Sequence, residues 1–221
     1  MIRAVLFDLD GTFADTAPDL GYAVNQMRIA RGLAPVQDEK TRPVTSSGAR
    51  GLLSAGFGIT PDHADYPAMR DEFLNRYEAN LCRETRLFDG MAELITSLEA
   101  RGLTWGIVTN KAERFALPLM KLLGYSTRAA CIIGGDTTGK LKPHPEPLYA
   151  AAKAINLAPA QCIYVGDDER DVQAGRAAGM KTVAVRYGYL NGSNPASWGA
   201  DAIIDTPLQT LQLLTAAGVK S

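Results

Sequence analysis

From residue 91 onward, short apolar runs alternate with amphipathic helical patterns, and this alternation constrains the fold more than any other feature. Met91, Leu94, Ile95 and Leu98 mark a helix face, and Trp105-Gly106-Ile107-Val108 follows as a strand. Phe115, Leu119, Leu122 and Leu123 line the next helix, before Cys131-Ile132-Ile133. A helix over Glu146–Ile155 precedes Cys162-Ile163-Tyr164-Val165; a helix over Val172–Ala178 precedes Thr182–Val185. A strand at Ala202–Ile204 and a helix at Pro207–Ala217 complete the series. Strands separated by helices predict an α/β, Rossmann-like parallel sheet with helices on both faces. In such sheets ligands lie outside the carboxyl ends of the strands.

The first strand, Ala4-Val5-Leu6-Phe7, stands apart from the rest of the series. Between it and residue 91 the chain reads as helical: Leu20, Val24 and Met27 recur at helical spacing; after a connecting loop at Gln37-Asp38-Glu39-Lys40, Thr41–Phe57 reads as a polar turn feeding a short helix; and Tyr66, Met69, Phe73, Tyr77 and Leu81 mark an amphipathic helix. The expected organisation is therefore a core of residues 1–14 and 83–221, with residues 15–82 inserted as an all-helical cap. Its linkers, near Ala14–Asp19 and Cys82–Leu87, are the expected hinges.

A formal net charge of −1 gives no support to nucleic-acid binding through a basic surface. No apolar run approaches a membrane span, and the first residues read as a buried strand rather than a signal peptide. Three widely spaced cysteines in apolar surroundings read as buried thiols of a cytoplasmic protein. The expected partner is a small molecule, with neither nucleic acid nor membrane, and the expected state is a monomer or weak homodimer.

Polar residues gather where the strands end. Asp8 and Asp10 share one side of a strand end, since side chains alternate with a period of two. Two like charges held together need a cation between them or a proton on one. Thr109-Asn110 follows another strand, Lys142 lies in a loop before a helix, and Gly166-Asp167-Asp168 with Asp171 follows a third strand.

These four clusters, in this order, resemble the four motifs of the haloacid dehalogenase superfamily, and the resemblance spans the whole chain. The inserted helices resemble that superfamily's C1 cap. The resemblance implies a Mg²⁺-dependent phosphomonoesterase. It implies Asp8 as nucleophile and metal ligand, forming an aspartyl-phosphate, and Asp10 as general acid and base. It implies metal ligation by Asp8, by the Asp10 backbone carbonyl and by Asp167. Thr109 would bond a phosphoryl oxygen, helped by N–H groups of Leu9, Asp10 and Asn110, and Lys142 would offset negative charge. Asp171 matches a supporting acidic position, and Asp168 is expected to cap the following helix. His144 is expected to be structural.

Asp10 itself narrows the chemistry, because the carbon–halogen and carbon–phosphorus cleaving branches lack it. Thr12 tilts the reading from sugar phosphomutase to phosphatase. A non-catalytic phosphate-binding module predicts loss of Asp8, Asp10, Lys142 or Asp167, and all four are present. Substrate choice is expected to lie in the cap, where Arg50, in Ser47-Gly48-Ala49-Arg50, suits an anionic or hydroxyl-rich leaving group, with Arg42 a weaker candidate. The chain broadly resembles phosphoglycolate phosphatases. Longer runs, among them Trp105–Lys111 and Val185–Tyr189, resemble the branch acting on N-acetylmuramic acid 6-phosphate.

Overall fold

The computed structural model describes residues 1–216. Six strands form one parallel sheet: β1 (Ala4–Phe7), β4 (Thr104–Val108), β5 (Ile132–Ile133), β6 (Cys162–Gly166), β7 (Lys181–Val185) and β8 (Ala202–Ile204). Their spatial order is β5-β4-β1-β6-β7-β8. Strand β1 is central, with Phe7 opposite Ile107 on one side and Val165 on the other. The chain order reverses about β1, so its carboxyl end opens at the switch point between β4 and β6.

Alternation along β1 divides the core in two. Val5 and Phe7 pack with Trp105, Ile107, Ile163 and Val165 against α5 (Met91–Ala100) and α6 (Glu113–Leu122). Ala4 and Leu6 pack with Val108 and Tyr164 against α7 (Glu146–Ala154) and α8 (Glu169–Ala178). Both faces of the sheet are thus covered, as near-continuous apolar strands require. The last helix, α9, spans Gln209–Ala216; the expected end at Ala217 lies outside the described residues.

Between β1 and α5 stand α1 (Ala17–Ile29), α2 (Asp38–Thr41), a 3₁₀ segment (Arg42–Ser47), α3 (Gly48–Phe57) and α4 (Tyr66–Ala79). Leu20, Val24, Met27, Leu52, Leu53, Met69, Phe73 and Tyr77 form their own buried cluster, joined by Phe115 of α6. The Tyr77 and Phe115 rings lie 5.6 Å apart, so α6 reaches into this cluster from the sheet side.

The linkers differ from the expectation. Ala14–Asp15 (β2) pairs antiparallel with Arg86–Leu87 (β3), a two-residue ladder in stretches read as plain hinges. Asp19 is fully buried beside it and accepts bonds from the Glu84 N–H (2.9 Å), the Thr85 N–H (3.0 Å) and the Thr85 hydroxyl (2.7 Å). The connection before α3 also differs: residues 37–40, read as a loop, turn into α2 and run on as 3₁₀ helix to Ser47.

Candidate active site

Asp8 leaves the end of β1 into a buried pocket, and its Oδ1 accepts the Leu9 N–H at 2.8 Å. Lys142 Nζ lies 2.9 Å from the same oxygen and 2.7 Å from Asp171 Oδ1. It also donates to the Tyr164 hydroxyl and the Val108 carbonyl, at 2.8 and 3.2 Å. The Asn110 side chain fixes this lysine from its backbone, accepting the Lys142 N–H at 2.8 Å and donating to its carbonyl at 3.0 Å. Burial works against the Lys142 charge, but Asp171 and Asp8 outweigh it and raise its pKa to about 12.

Asp167 faces Asp8 from the end of β6. Its Oδ1 accepts the Thr12 hydroxyl at 3.0 Å, and its Oδ2 accepts the Tyr189 N–H at 2.8 Å and the Ser46 hydroxyl at 3.2 Å. Gly11 has φ +82°, and a Cβ there would overlap Asp167 Oδ2. The turn that presents Asp8 and Asp10 therefore needs glycine for both its backbone and its fit.

Oxygens of Asp8, Asp167 and Asp171 lie within 4.8 Å of one another. Burial pushes Asp8 up to about 7, even with Lys142 pulling the other way. Burial, with Asp8 and Asp171 as like-charged neighbours, pushes Asp167 well above the carboxylate range. One ammonium does not neutralise three buried carboxylates. An all-oxygen donor set of this charge fits a hard divalent cation such as Mg²⁺. Asp171 thus joins Asp8 and Asp167 in the cluster. The Asp10 side chain turns elsewhere, which is compatible with a ligand role for its backbone carbonyl alone.

Asp10 Oδ1 accepts the Thr16 hydroxyl at 2.6 Å and Lys111 Nζ at 2.8 Å. Thr109 is buried at the end of β4, its hydroxyl accepting the Lys111 N–H at 3.2 Å and its own N–H donating to Ile133. Asp168 caps α8 by accepting the Arg170 N–H at 2.9 Å, as expected. Arg170 in turn chelates the Asp168 carboxylate and donates to the Ser46 carbonyl at 2.9 Å, joining α8 to the 3₁₀ segment. His144 is exposed and accepts the Glu146 N–H at 3.2 Å, a local structural role.

These groups open into a cavity of about 560 Å³, lined on its far side by α3 and α4. Arg50 stands exposed on its wall, with Arg70 and Arg114 beside Tyr66 and Phe73. Arg42 is a correction: it pairs with Asp15 at 2.7 Å, stacks on Tyr189 and lies outside the cavity lining. The sequence reading assigned no role to Lys111, Ser46, Arg170 or Tyr189. Lys111 and Tyr189 sat within runs noted only as kinship, and their partners are 101 and 22 residues away in sequence.

The carboxylates thus gather at the switch point of a three-layer α/β sheet, roofed by helices inserted after the first strand. Residues 5–185 match the family model described as haloacid dehalogenase-like hydrolase, and the chain belongs to that family. It is 45% identical over 217 residues to the N-acetylmuramic acid 6-phosphate phosphatase of Pseudomonas aeruginosa, covering 98% of this chain and 96% of that protein. It is 49% identical over 208 residues to a phosphoglycolate phosphatase of Xanthomonas campestris pv. campestris, covering 94% of each. Among solved structures, a predicted phosphoglycolate phosphatase from Haemophilus somnus superposes with a TM-score of 0.85 at 26% identity, covering 96% of this chain and 97% of that one.

Proposed function

We propose that this hydrolase is a Mg²⁺-dependent phosphomonoesterase that cleaves N-acetylmuramic acid 6-phosphate through an aspartyl-phosphate on Asp8. The observation that carries the chemistry is the buried Asp8 carboxylate, 2.9 Å from Lys142 and within 4.8 Å of the Asp167 and Asp171 oxygens. Asp8, Asp167 and the Asp10 backbone carbonyl would hold Mg²⁺, with Asp171 supporting. The ion would supply positive charge against which a carboxylate can approach a phosphate dianion.

In the first half-reaction an Asp8 oxygen bonds to phosphorus as the ester P–O bond breaks, and Asp10 gives its proton to the departing alkoxide. In the second, Asp10 takes a proton from water as that water bonds to phosphorus, and the Asp8–phosphorus bond breaks to release phosphate. Thr109 and the N–H groups of Leu9, Asp10 and Asn110 orient the phosphoryl oxygens. Lys142 opposes the charge on Asp8 and on the transferring group.

The helices α1–α4 serve as the cap, and Arg50 reads the leaving group. A 560 Å³ cavity with aromatic and arginine walls suits an amino-sugar acid, whereas a two-carbon acid would fill a small part of it. Phosphoglycolate is the second reading, favoured by the Xanthomonas relative. No helix of the described residues is long and apolar enough to cross a membrane. The three cysteines are free thiols, which supports a cytoplasmic enzyme, read as a monomer or weak homodimer.

Phosphate release from the two esters by the purified protein with Mg²⁺ tests the substrate. N-Acetylmuramic acid 6-phosphate is expected to show the higher kcat/KM, and the reverse order rejects it. In the same assay Asp8→Asn is expected to abolish turnover with its thermal midpoint retained. Near-normal activity in that variant rejects the mechanism.

A further inference from the structure

We infer that Lys111 is a positioning residue for proton transfer: it holds Asp10 by one carboxylate oxygen and braces that hold against Tyr77 of α4. The inference rests on Asp10 as the acid and base of the reaction above. A carboxylate that delivers a proton to one oxygen of a bound ester needs a fixed orientation. Asp10 Oδ1 accepts two bonds, from Thr16 Oγ1 at 2.6 Å and Lys111 Nζ at 2.8 Å. With Oδ1 occupied twice over, Oδ2 is the oxygen that carries and returns the proton.

The pair sits where it has most effect. The Lys111 and Asp10 side chains are 7% and 15% exposed, so water screens them little. When Asp10 releases its proton, negative charge appears beside an ammonium already in place. The attraction therefore grows as the alcohol departs, which is the condition for lowering a barrier rather than tightening the ground state.

The far side of the ammonium meets the cap. Lys111 Nζ lies 4.7 Å from the centre of the Tyr77 ring, and Tyr77 is buried in the α1–α3–α4 cluster. The Tyr77 hydroxyl is buried and lacks a close hydrogen-bond partner among the described residues, and the ammonium lies within cation–π range of its ring. Lys111 is therefore held between the acid of the core and an aromatic wall of the cap. Cap movement would uncover it to water and loosen Asp10 in the same motion.

Leaving-group dependence tests this. The ratio kcat/KM covers events up to departure of the alcohol, and p-nitrophenolate departs without a proton whereas an alkoxide needs one. Lys111→Met is expected to lose about 10–100-fold in kcat/KM on N-acetylmuramic acid 6-phosphate, or on phosphoglycolate if that ester is faster, and no more than about threefold on p-nitrophenyl phosphate. Lys111→Arg, which keeps a cation and a donor, is expected to recover most of the loss. Asp10→Asn run in parallel separates the two claims. An equal loss on both esters in Asp10→Asn removes the acid–base reading itself. A selective loss in Asp10→Asn, with an equal loss or none in Lys111→Met, overturns the role of Lys111 alone. If circular dichroism shows that Lys111→Met does not fold, Lys111→Gln is read in the same two assays against the same outcomes.

Discussion

Two buried aspartates set the energetics at the scale of single residues. Asp8 is pushed up to about 7 by burial, and Asp167 is pushed well above the usual carboxylate range by burial and its like-charged neighbours. A carboxyl whose pKa rises on folding stabilises the fold fully below its unfolded value. It loses that contribution as pH climbs through the folded value. For Asp8 the loss falls between about pH 4 and 7. A divalent cation on the same oxygens reverses the penalty, because it favours the charged form. The gain in thermal midpoint on adding Mg²⁺ is therefore expected to be larger at pH 8 than at pH 5. Equal gains at both pH values would place the cation elsewhere. Asp8, Asp167 and Lys142 were legible in the sequence because each follows or precedes a strongly patterned element. Lys111 was not, because a lysine at the start of a helix reads as solvated surface until the fold brings Asp10 to it.

Elements show a sharper division between what pattern reveals and what it hides. Helices of ten or more residues, such as α4 with Met69, Phe73 and Tyr77 buried, carry their period in the sequence. A strand of two residues cannot show a period of two, so the β2–β3 ladder passed as linker. The 3₁₀ segment Arg42–Ser47 was hidden for a related reason, since it carries Pro43 in its first turn and has no apolar stripe of its own. One side chain ties the returning linker to α1. Asp19, at the start of α1, gathers the Glu84 and Thr85 N–H groups and the Thr85 hydroxyl. Asp19→Ala leaves the two buried Thr85 donors unpaired and is expected to cost roughly 2–4 kcal/mol in unfolding free energy. Denaturant titration measures it, and a change below about 0.5 kcal/mol would show that the ladder stands without Asp19.

The whole molecule is held shut by polar contacts as well as by packing. Ser46 reaches Asp167 through its hydroxyl and Arg170 through its carbonyl, so one residue of the 3₁₀ segment touches both the carboxylate cluster and α8. The Tyr77–Phe115 ring contact closes the opposite side of the cavity. Charge-assisted bonds of the Arg170 kind are each worth about 1.5–3 kcal/mol when buried and less when half-exposed, as here. Arg170→Met is accordingly expected to raise KM about three- to tenfold through a more open cap, and to speed proteolysis in the linkers. An unchanged KM and cleavage rate would show that packing alone closes the molecule. The α/β layers and the inserted helices were readable from periodicity, whereas the polar fastening between them joins residues 124 positions apart and has no local signature.

The paired linkers also bear on how such a molecule diversifies. The chain leaves the sheet along Ala14–Asp15 and returns along Arg86–Leu87, side by side and antiparallel. Neighbouring strands lie roughly 5 Å apart, so departure and return share one gate in the backbone. An insert whose two ends meet at that spacing can join the sheet there without shifting a strand. Ser46 and Tyr77 of the present insert reach Asp167 and Lys111, so exchanging it changes the surroundings of the carboxylates along with the cavity wall. New specificity in this scaffold is a matter of exchanging one roof through one doorway.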